Sequence, residues 1–301
     1  MMSKILVTGG TRFVSRYTAE YYAQKGYEVY VLNRNSRPQP EGVTLIEGDR
    51  HHLGERLKGH HFDAVLDITA YQGQDITDLL AGLDSFDTYI MVSSSAVYPE
   101  TGVQPFAEDT PPGENKFWGG YGVGKLEAER ELLRQVPGAY ILRPPYLYGP
   151  GNNVYREAFV FDCAMAGRKF YLPGDGGMKL QFFYVKDLCR FMDVILAQKP
   201  EHRIFNVGNR EAVTVRDWVG LCYAAAGKQA EFVPVYAGCE QRNYFSFYNY
   251  EYDLDVTEQY ALMSEITPLS EGLRESYLWY TQHRDQVGKK PYFAYIDEHF
   301  S

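Results

Sequence analysis

A chain of 301 residues that is 45% hydrophobic and 23% charged can bury a large core, which excludes a disordered chain, a small disulfide scaffold and a collagen-like fibre. Thirty basic residues against thirty-nine acidic ones leave a formal charge of -9, so a broad phosphate-tracking surface is disfavoured and nucleic acid is not the expected partner. The four cysteines, at 163, 189, 222 and 239, form no C-x-x-C pair and are expected to be buried reduced thiols. The histidine doublets show no H-x-x-x-H spacing, so no metal site is expected. The apolar run Ile5-Leu6-Val7 near the start is too short for a signal peptide or a membrane span. A cytoplasmic protein with no membrane partner is expected.

In chain order, short apolar runs alternate with longer amphipathic stretches, the pattern of a parallel sheet with covering helices. Strands are predicted over Lys4–Val7, Glu28–Leu32, Thr44–Glu47, Ala64–Asp67, Tyr89–Ser93 and Tyr140–Arg143. Their Val, Ile, Leu and Tyr content, with little polar alternation, suits a sheet covered on both faces. Helices are predicted over Phe13–Gln24, where Phe13, Tyr17, Tyr21 and Tyr22 recur at helical spacing, over 75–82, and over Tyr121–Gln135. Beyond Arg143, Pro144, Pro145 and the Gly149-Pro150-Gly151 turn interrupt regular structure and mark a change of domain. Helices over 155–166, 187–197, 214–226 and 270–283 follow, with strands at Ile204–Val207 and Glu231–Val235. The fold class is therefore α/β, a doubly wound parallel sheet over 1–150 and about 180–208, with a smaller mixed α/β domain over 151–179 and 209–301. The Tyr- and Phe-rich segment Asn243–Asp253 reads as core material, with the lining of a ligand pocket as the alternative.

The first strand runs into Thr8-Gly9-Gly10-Thr11-Arg12-Phe13-Val14-Ser15, a turn opening a helix, where backbone N–H groups and the helix dipole can hold a pyrophosphate. Gly9 supports the bend. In a G-x-x-G-x-x-G spacing the second and third glycines are Arg12 and Ser15, which keeps a plain strand-to-helix turn as the alternative. Arg12 brings a guanidinium able to ion-pair a cofactor phosphate. After the second strand, where a carboxylate would bind the ribose 2'-hydroxyl of NAD, stand Asn33-Arg34-Asn35-Ser36-Arg37. Two arginines beside a neutral amide suit a 2'-phosphate, so NADP is expected, with NAD or a solvated basic loop as alternatives.

Tyr121 and Lys125 lie four apart in a predicted helix and share one face, and the run Ser93-Ser94-Ser95-Ala96-Val97-Tyr98 closes the fifth strand. An unperturbed tyrosine titrates near ~10, but a nearby ammonium and an oxidised nicotinamide both favour its phenolate. Tyr121 can then exchange a proton with a substrate oxygen while hydride moves at the neighbouring carbon, with Ser94 directing that oxygen. A Y-x-x-x-K spacing by itself is more often a surface pair; its place after the fifth strand, at the carboxyl edge of the sheet, favours the chemistry. Gly122 and Gly124, each costing about 1 kcal/mol inside a helix, suggest that something approaches the backbone closely, and the cofactor is the expected visitor.

With these motifs, and with Leu142-Arg143-Pro144, Tyr148-Gly149-Pro150, Phe183-Tyr184-Val185-Lys186-Asp187, Phe205-Asn206-Val207-Gly208 and Pro268-Leu269-Ser270-Glu271-Gly272-Leu273, the chain resembles the extended short-chain dehydrogenase/reductase family. That family comprises NAD(P)-dependent epimerases, dehydratases and reductases of nucleotide sugars on a Rossmann-type fold. The resemblance implies Ser94, four residues before Tyr98, as the catalytic hydroxyl beside Tyr121 and Lys125. It puts Asp49 near the adenine, and Arg50, Thr69, Ala70, Ser93 and Pro144 on the cofactor together with Gly9, Thr11, Arg12, Phe13, Asn33 and Arg34. Tyr71, Tyr146 and Lys179 would face the substrate. Gly9-Gly10-Thr11-Arg12-Phe13 looks most like an atypical branch that includes chloroplast stem-loop RNA-binding proteins. Two further departures matter: Ser95-Ala96 stand where 4,6-dehydratases carry an Asp-Glu pair, which disfavours dehydration, and Leu180 replaces the arginine that grips the nucleotide diphosphate. The expected protein is a homodimeric epimerase or reductase of a sugar or nucleotide sugar. The alternatives are a non-catalytic dinucleotide- or RNA-binding member of the family and a dinucleotide-binding redox sensor.

Overall fold

The computed structural model describes residues 3–236 and 238–300. In chain order its strands are β1 (Lys4–Thr8), β2 (Glu28–Asn33), β3 (Val43–Glu47), β4 (His61–Asp67), β5 (Ser85–Val92), β6 (Tyr140–Arg143) and β7 (Tyr146–Tyr148), then β8 (Phe170–Pro173), β9 (Lys179–Leu180), β10 (Phe182–Tyr184), β11 (Ile204–Asn206), β12 (Val213–Thr214) and β13 (Phe232–Val235). The helices are α1 (Phe13–Gln24), α2 (Gly73–Gly82), α3 (Gly120–Gln135), α4 (Glu157–Met165), α5 (Val185–Gln198), α6 (Val215–Ala225), α7 (Thr257–Leu262), α8 (Leu269–Gln282) and α9 (Tyr292–His299). The chain divides into two compact units. The first comprises Met1–Pro145, Val185–Gly208 and Leu254–Ile266, and the second Tyr146–Tyr184, Asn209–Asp253 and Thr267–Ser301.

The first unit is built on a seven-stranded sheet in the order β11-β6-β5-β4-β1-β2-β3, with every neighbouring pair parallel. Its central strands are apolar on both faces because both are covered: Ile5, Leu6 and Val7 of β1 are all buried. Leu6, Val65, Met91 and Ile141 meet Ile76 and Leu79 of α2 and Ala128 and Leu132 of α3 in one apolar cluster. On α1 the buried positions Ser15, Thr18, Ala19 and Tyr22 form an i, i+3, i+4, i+7 stripe. This helix is tied to α5 by Tyr21, whose hydroxyl donates to Asp193 at 2.5 Å, and by Lys25, 2.6 Å from the same carboxylate. Because β1 has β2 on one side and β4 on the other, the strand order reverses there, and the crevice at the carboxyl ends of β1 and β4 is where such sheets bind ligands.

In the second unit, β7 and β10 pair in parallel, as do β8 and β13, while β9 and β12 are antiparallel. The aromatic segment is packing material: Tyr244, Phe245, Phe247, Tyr250 and Tyr252 are all buried, and Phe247 meets Trp218 edge-on at 5.2 Å. Cys163, Cys189 and Cys222 are buried free thiols, whereas Cys239 is half-exposed, a correction to the expectation for the fourth cysteine. The sequence pattern misses β7, β8, β9, β10 and β12, whose ladders of two to four residues are too short to show a period, and also α7 and α9. The predicted start of β5 at Tyr89 moves back to Ser85, since its first residues sit at the less buried end of the strand, where polar Ser85, Asp87 and Thr88 surround Phe86 and break the apolar run. Among the described residues no helix is long and apolar enough to cross a membrane.

A buried ion pair locks α3 to the sheet. Arg143 at the end of β6 donates through Nε to Glu129 Oε1 at 3.0 Å and through Nη2 to Oε2 at 2.6 Å, and both side chains are 3% exposed. The remaining arm of Arg143 reaches the Tyr98 hydroxyl at 2.8 Å, which in turn donates to Asn206 at 2.8 Å. Replacing Glu129 by Ala strands a buried guanidinium, so a loss of about 3–5 kcal/mol is expected in urea unfolding at neutral pH. A loss below about 1 kcal/mol would show that the pair does not hold α3.

Candidate active site

The turn after β1 is dictated by close packing. Gly9 and Gly10 have φ of +90° and +88°; a side chain on Gly9 would lie 2.8 Å from Ser15 Oγ, and one on Gly10 2.6 Å from Val31 Cγ1. Ser15, standing where a third glycine is usual, donates to the Arg12 carbonyl at 2.9 Å and braces the turn. Helix α1 then begins with no side-chain cap and no acidic residue in its first turn, and Arg12 is exposed. Uncapped N–H groups, the positive end of the helix dipole and a guanidinium meet there, which suits a phosphate. Thr11 and Phe13 are half-buried in the same turn.

Asn33 is occupied within the protein. Its Nδ2 donates to the Gly9 carbonyl at 2.6 Å and to Gln39 at 2.9 Å, and its Oδ1 accepts from the Asn35 amide at 2.9 Å. It therefore ties the end of β2 to the glycine turn. Arg34 and Arg37 are exposed just beyond it. Asp49, half-buried, accepts the His51 amide at 3.0 Å; that bond leads the causes that hold its carboxyl below the usual carboxylate range.

Between β1 and β4 the crevice floor is a polar knot absent from the sequence reading. Asp67, fully buried, accepts from the Thr8 hydroxyl at 2.7 Å, the Tyr89 hydroxyl at 2.6 Å and Arg50 Nη2 at 2.8 Å. Burial works against its charge, but the Arg50 guanidinium and the two hydroxyls outweigh it and hold the carboxyl low. Arg50, expected on the cofactor, thus spends its guanidinium inside the protein. The sequence signal is an aspartate closing the apolar run Ala64-Val65-Leu66, since a charge buried in a strand end needs a partner. Thr69 donates through its hydroxyl to Thr8 Oγ1 at 2.9 Å, and Ala70 is buried.

The catalytic trio of the sequence reading gathers on α3 and the two strand ends it covers. A Cβ at Gly122 would overlap the Ala96 carbonyl oxygen, and one at Gly124 would overlap the Tyr71 carbonyl oxygen. The visitor to these glycines is thus the protein's own backbone and not the cofactor, a correction with a steric cause. This close approach lets Lys125 reach inward. Its ammonium, on a residue 2% exposed, donates to the Ala70 carbonyl at 2.7 Å and the Val92 carbonyl at 2.8 Å, and lies 4.9 Å from the centre of the Tyr71 ring. One turn earlier Tyr121 is 44% exposed, its ring centre 6.4 Å from that of Tyr71, itself 53% exposed. Ser94, half-buried, accepts the Ala96 amide at 3.2 Å in a short 3-10 turn whose Ala96 carbonyl rests on Gly122, beside Tyr121. Ser93 is buried with no partner for its hydroxyl, and Pro144 accepts the Ser95 amide at 2.9 Å. The orphaned Ser93 hydroxyl, the uncapped helix start and the exposed Arg12 and Arg34 fit a dinucleotide along this edge.

The expected substrate residues of the second unit are separate cases. Tyr146 is buried and burial pushes its phenol well up; Lys179 is exposed, its amide donating to Glu251 at 2.8 Å. Leu180 is 1% exposed, so the position of the missing arginine is core. In the first unit, ligand atoms of His61, Asp63 and Asp87 lie within 4.8 Å of one another, yet Asp63 already accepts the Lys4 amide at 2.6 Å and His61 meets Ser85 at 2.9 Å.

This is a Rossmann-type α/β protein with a tyrosine and a buried lysine at the edge of its sheet. The model of the NAD dependent epimerase/dehydratase family matches residues 5–79 and 75–208, and the chain belongs to that family. It is 29% identical over 246 residues to the chloroplast stem-loop binding protein of 41 kDa b of Arabidopsis thaliana, covering 74% of this chain and 63% of that protein. It is 25% identical to a UDP-glucose 4-epimerase of Corynebacterium glutamicum, over 78% of this chain and 84% of that one. The fold matches the structure of a dTDP-glucose 4,6-dehydratase from Bacillus anthracis in complex with NAD, with a TM-score of 0.72 at 19% identity, covering 95% and 98% of the two chains.

Burial pushes the Lys125 ammonium down to about 8, from the 10.5 of a free lysine. The unfolded chain therefore binds more protons than the folded one between these values, and this residue's contribution to stability rises with pH across that window. Relative to Lys125→Met, the wild type should gain about 3 kcal/mol between pH 8 and 10.5 in urea unfolding. Parallel pH profiles for the two proteins would place the ammonium in water.

Proposed function

We propose that the protein is an NADP(H)-dependent epimerase or reductase of a sugar or nucleotide sugar, with Tyr121 as the general acid and base. The observation that carries this reading is the Lys125 ammonium, sealed against the Ala70 and Val92 carbonyls one helical turn below an exposed phenol. A surface Tyr-Lys pair has no reason to bury its lysine, whereas a base does, because a fixed cation favours the phenolate. The bound nicotinamide supplies hydride transfer. Tyr121 takes the proton from a substrate hydroxyl or returns it to a carbonyl. The Ser94 hydroxyl orients that oxygen, and Lys125 keeps the phenol acidic. Where 4,6-dehydratases carry an acid pair, this chain has Ser95-Ala96, so elimination of water is not expected.

The reading assigns the dinucleotide to the first unit and the sugar to the second, in a cytoplasmic homodimer. The UDP-glucose 4-epimerase relative supports a nucleotide sugar, while the buried Leu180 leaves the diphosphate without the family's arginine. Arg34 and Arg37 support NADP. A second reading, a non-catalytic or RNA-binding member, is favoured by the stem-loop binding relative and opposed by the charge of -9.

Tyr121→Phe should lower turnover at least ~100-fold in a screen of UDP-, GDP- and dTDP-sugars, with cofactor affinity unchanged. Retained turnover removes Tyr121 from the chemistry; absence of turnover in the wild type, with salt-sensitive RNA binding that survives the substitution, favours the second reading. Replacing Arg34 and Arg37 by Ala should weaken NADP about tenfold or more and leave NAD nearly unaffected in titration calorimetry. Equal losses for both cofactors would remove the 2'-phosphate argument.

A further inference from the structure

The chemistry above leaves the buried Arg50-Asp67 pair without a task. Replacing such a pair by packed apolar side chains is often neutral or stabilising, so stability alone does not account for it. Besides the Tyr89 hydroxyl on β5, its bonds lead to the loop that follows β4. Arg50 spans the carboxylate of Asp67 at 2.8 Å and the Thr69 carbonyl at 3.2 Å. Thr8 Oγ1, which donates to Asp67, receives the amides of Ile68 and Thr69 at 3.0 and 3.1 Å. The far end of the loop is fixed by Asp75, which accepts the amides of Tyr71 and Gln72 at 2.7 and 3.1 Å. Between these anchors lie the Ala70 carbonyl and the Tyr71 ring, the two features of the loop that meet the Lys125 ammonium.

We propose that Arg50 and Asp67 are positioning residues for Lys125: their ion pair sets the loop after β4 so that the Ala70 carbonyl and the Tyr71 ring seat the ammonium, and the Asp67 carboxylate keeps it charged. Burial is the largest influence on the ammonium and favours its neutral form, and its two bonds are to neutral carbonyls, so holding the charge falls to neighbouring carboxylates. Asp67, Glu129 and Asp75 favour the charged form and Arg50 opposes it, with the Tyr71 and Tyr121 phenols completing the surroundings. Glu129 is already bonded to Arg143, and Asp75 accepts two backbone amides. Of the three carboxylates Asp67 acts most strongly on the lysine, and its own bond to Arg50 tempers that action. The inference deepens the function proposed above and rests on its assignment of Lys125.

The test follows the lysine Cε resonances by carbon NMR against pH, with Lys125 identified by the signal lost in Lys125→Met. The wild-type midpoint is expected near 8. Asp67→Asn removes an attractive charge and should lower the midpoint at least about tenfold in proton affinity, whereas Arg50→Met removes a like charge and should raise it. Arg50→Lys should restore the wild-type value. Opposite shifts identify charge coupling, which loss of packing does not produce. Unchanged midpoints, or shifts of the same sign, overturn the proposal. Should Asp67→Asn fail to fold, Arg50→Met and Arg50→Lys decide it alone. Because the readout is protonation and not turnover, an active Tyr121→Phe would remove the catalytic reading and leave this result standing.

Discussion

The constraint on which the site depends is the cost of keeping an ammonium out of water at the edge of a parallel sheet. Lys125 sits between the ends of β4 and β5, where strand carbonyls run out of partners, and it takes one carbonyl from the loop after β4 and one from the last residue of β5. It therefore closes two orphaned acceptors while holding a charge at the base of the crevice. A neutral side chain could satisfy the carbonyls without the desolvation penalty. In the function proposed above, that charge serves the exposed phenol one turn away.

That arrangement sets demands on the helix. For a lysine on α3 to reach strand ends, the helix axis must come closer than an ordinary side chain allows, and Gly122 and Gly124 remove the two Cβ atoms that would strike the Ala96 and Tyr71 carbonyls. Two glycines weaken the helix by about 2 kcal/mol in propensity, and the same helix is tied to β6 by the Glu129-Arg143 pair one turn further on. Tyr121, Lys125 and Glu129 recur every fourth residue, so one helical face carries the phenol, the cation and the anchor.

The first unit was largely legible in the sequence because a sheet buried on both faces leaves uninterrupted apolar runs, and α1 emerges over the predicted residues. The glycines of α3 announce a close approach, but propensity carries no information on what approaches, and it is the Ala96 and Tyr71 carbonyls that do. Asp67 and Arg50 are 17 residues apart and meet only across two strand ends, a pairing that no local period encodes. Asn33, expected on the cofactor, also ties β2 to the glycine turn, a bond that no local pattern encodes. Short ladders such as β9 with β12 exist only through their partners and leave no trace in either segment alone.

Net charge and local charge point in different directions here, and the local pattern governs the ligand. A chain of charge -9 still exposes Arg12, Arg34 and Arg37 around the carboxyl ends of β1 and β2, and α1 starts there with no acid in its first turn. Screening over about 8 Å at physiological ionic strength means that a phosphate entering this corner responds chiefly to these guanidiniums and little to remote carboxylates. Asn33 contributes by being neutral and internally bonded: a carboxylate in its place would pair with the same arginines and repel a 2'-phosphate. The glycine turn and the loop after β2 therefore meet at a corner whose local charge is positive on a chain whose net charge is negative.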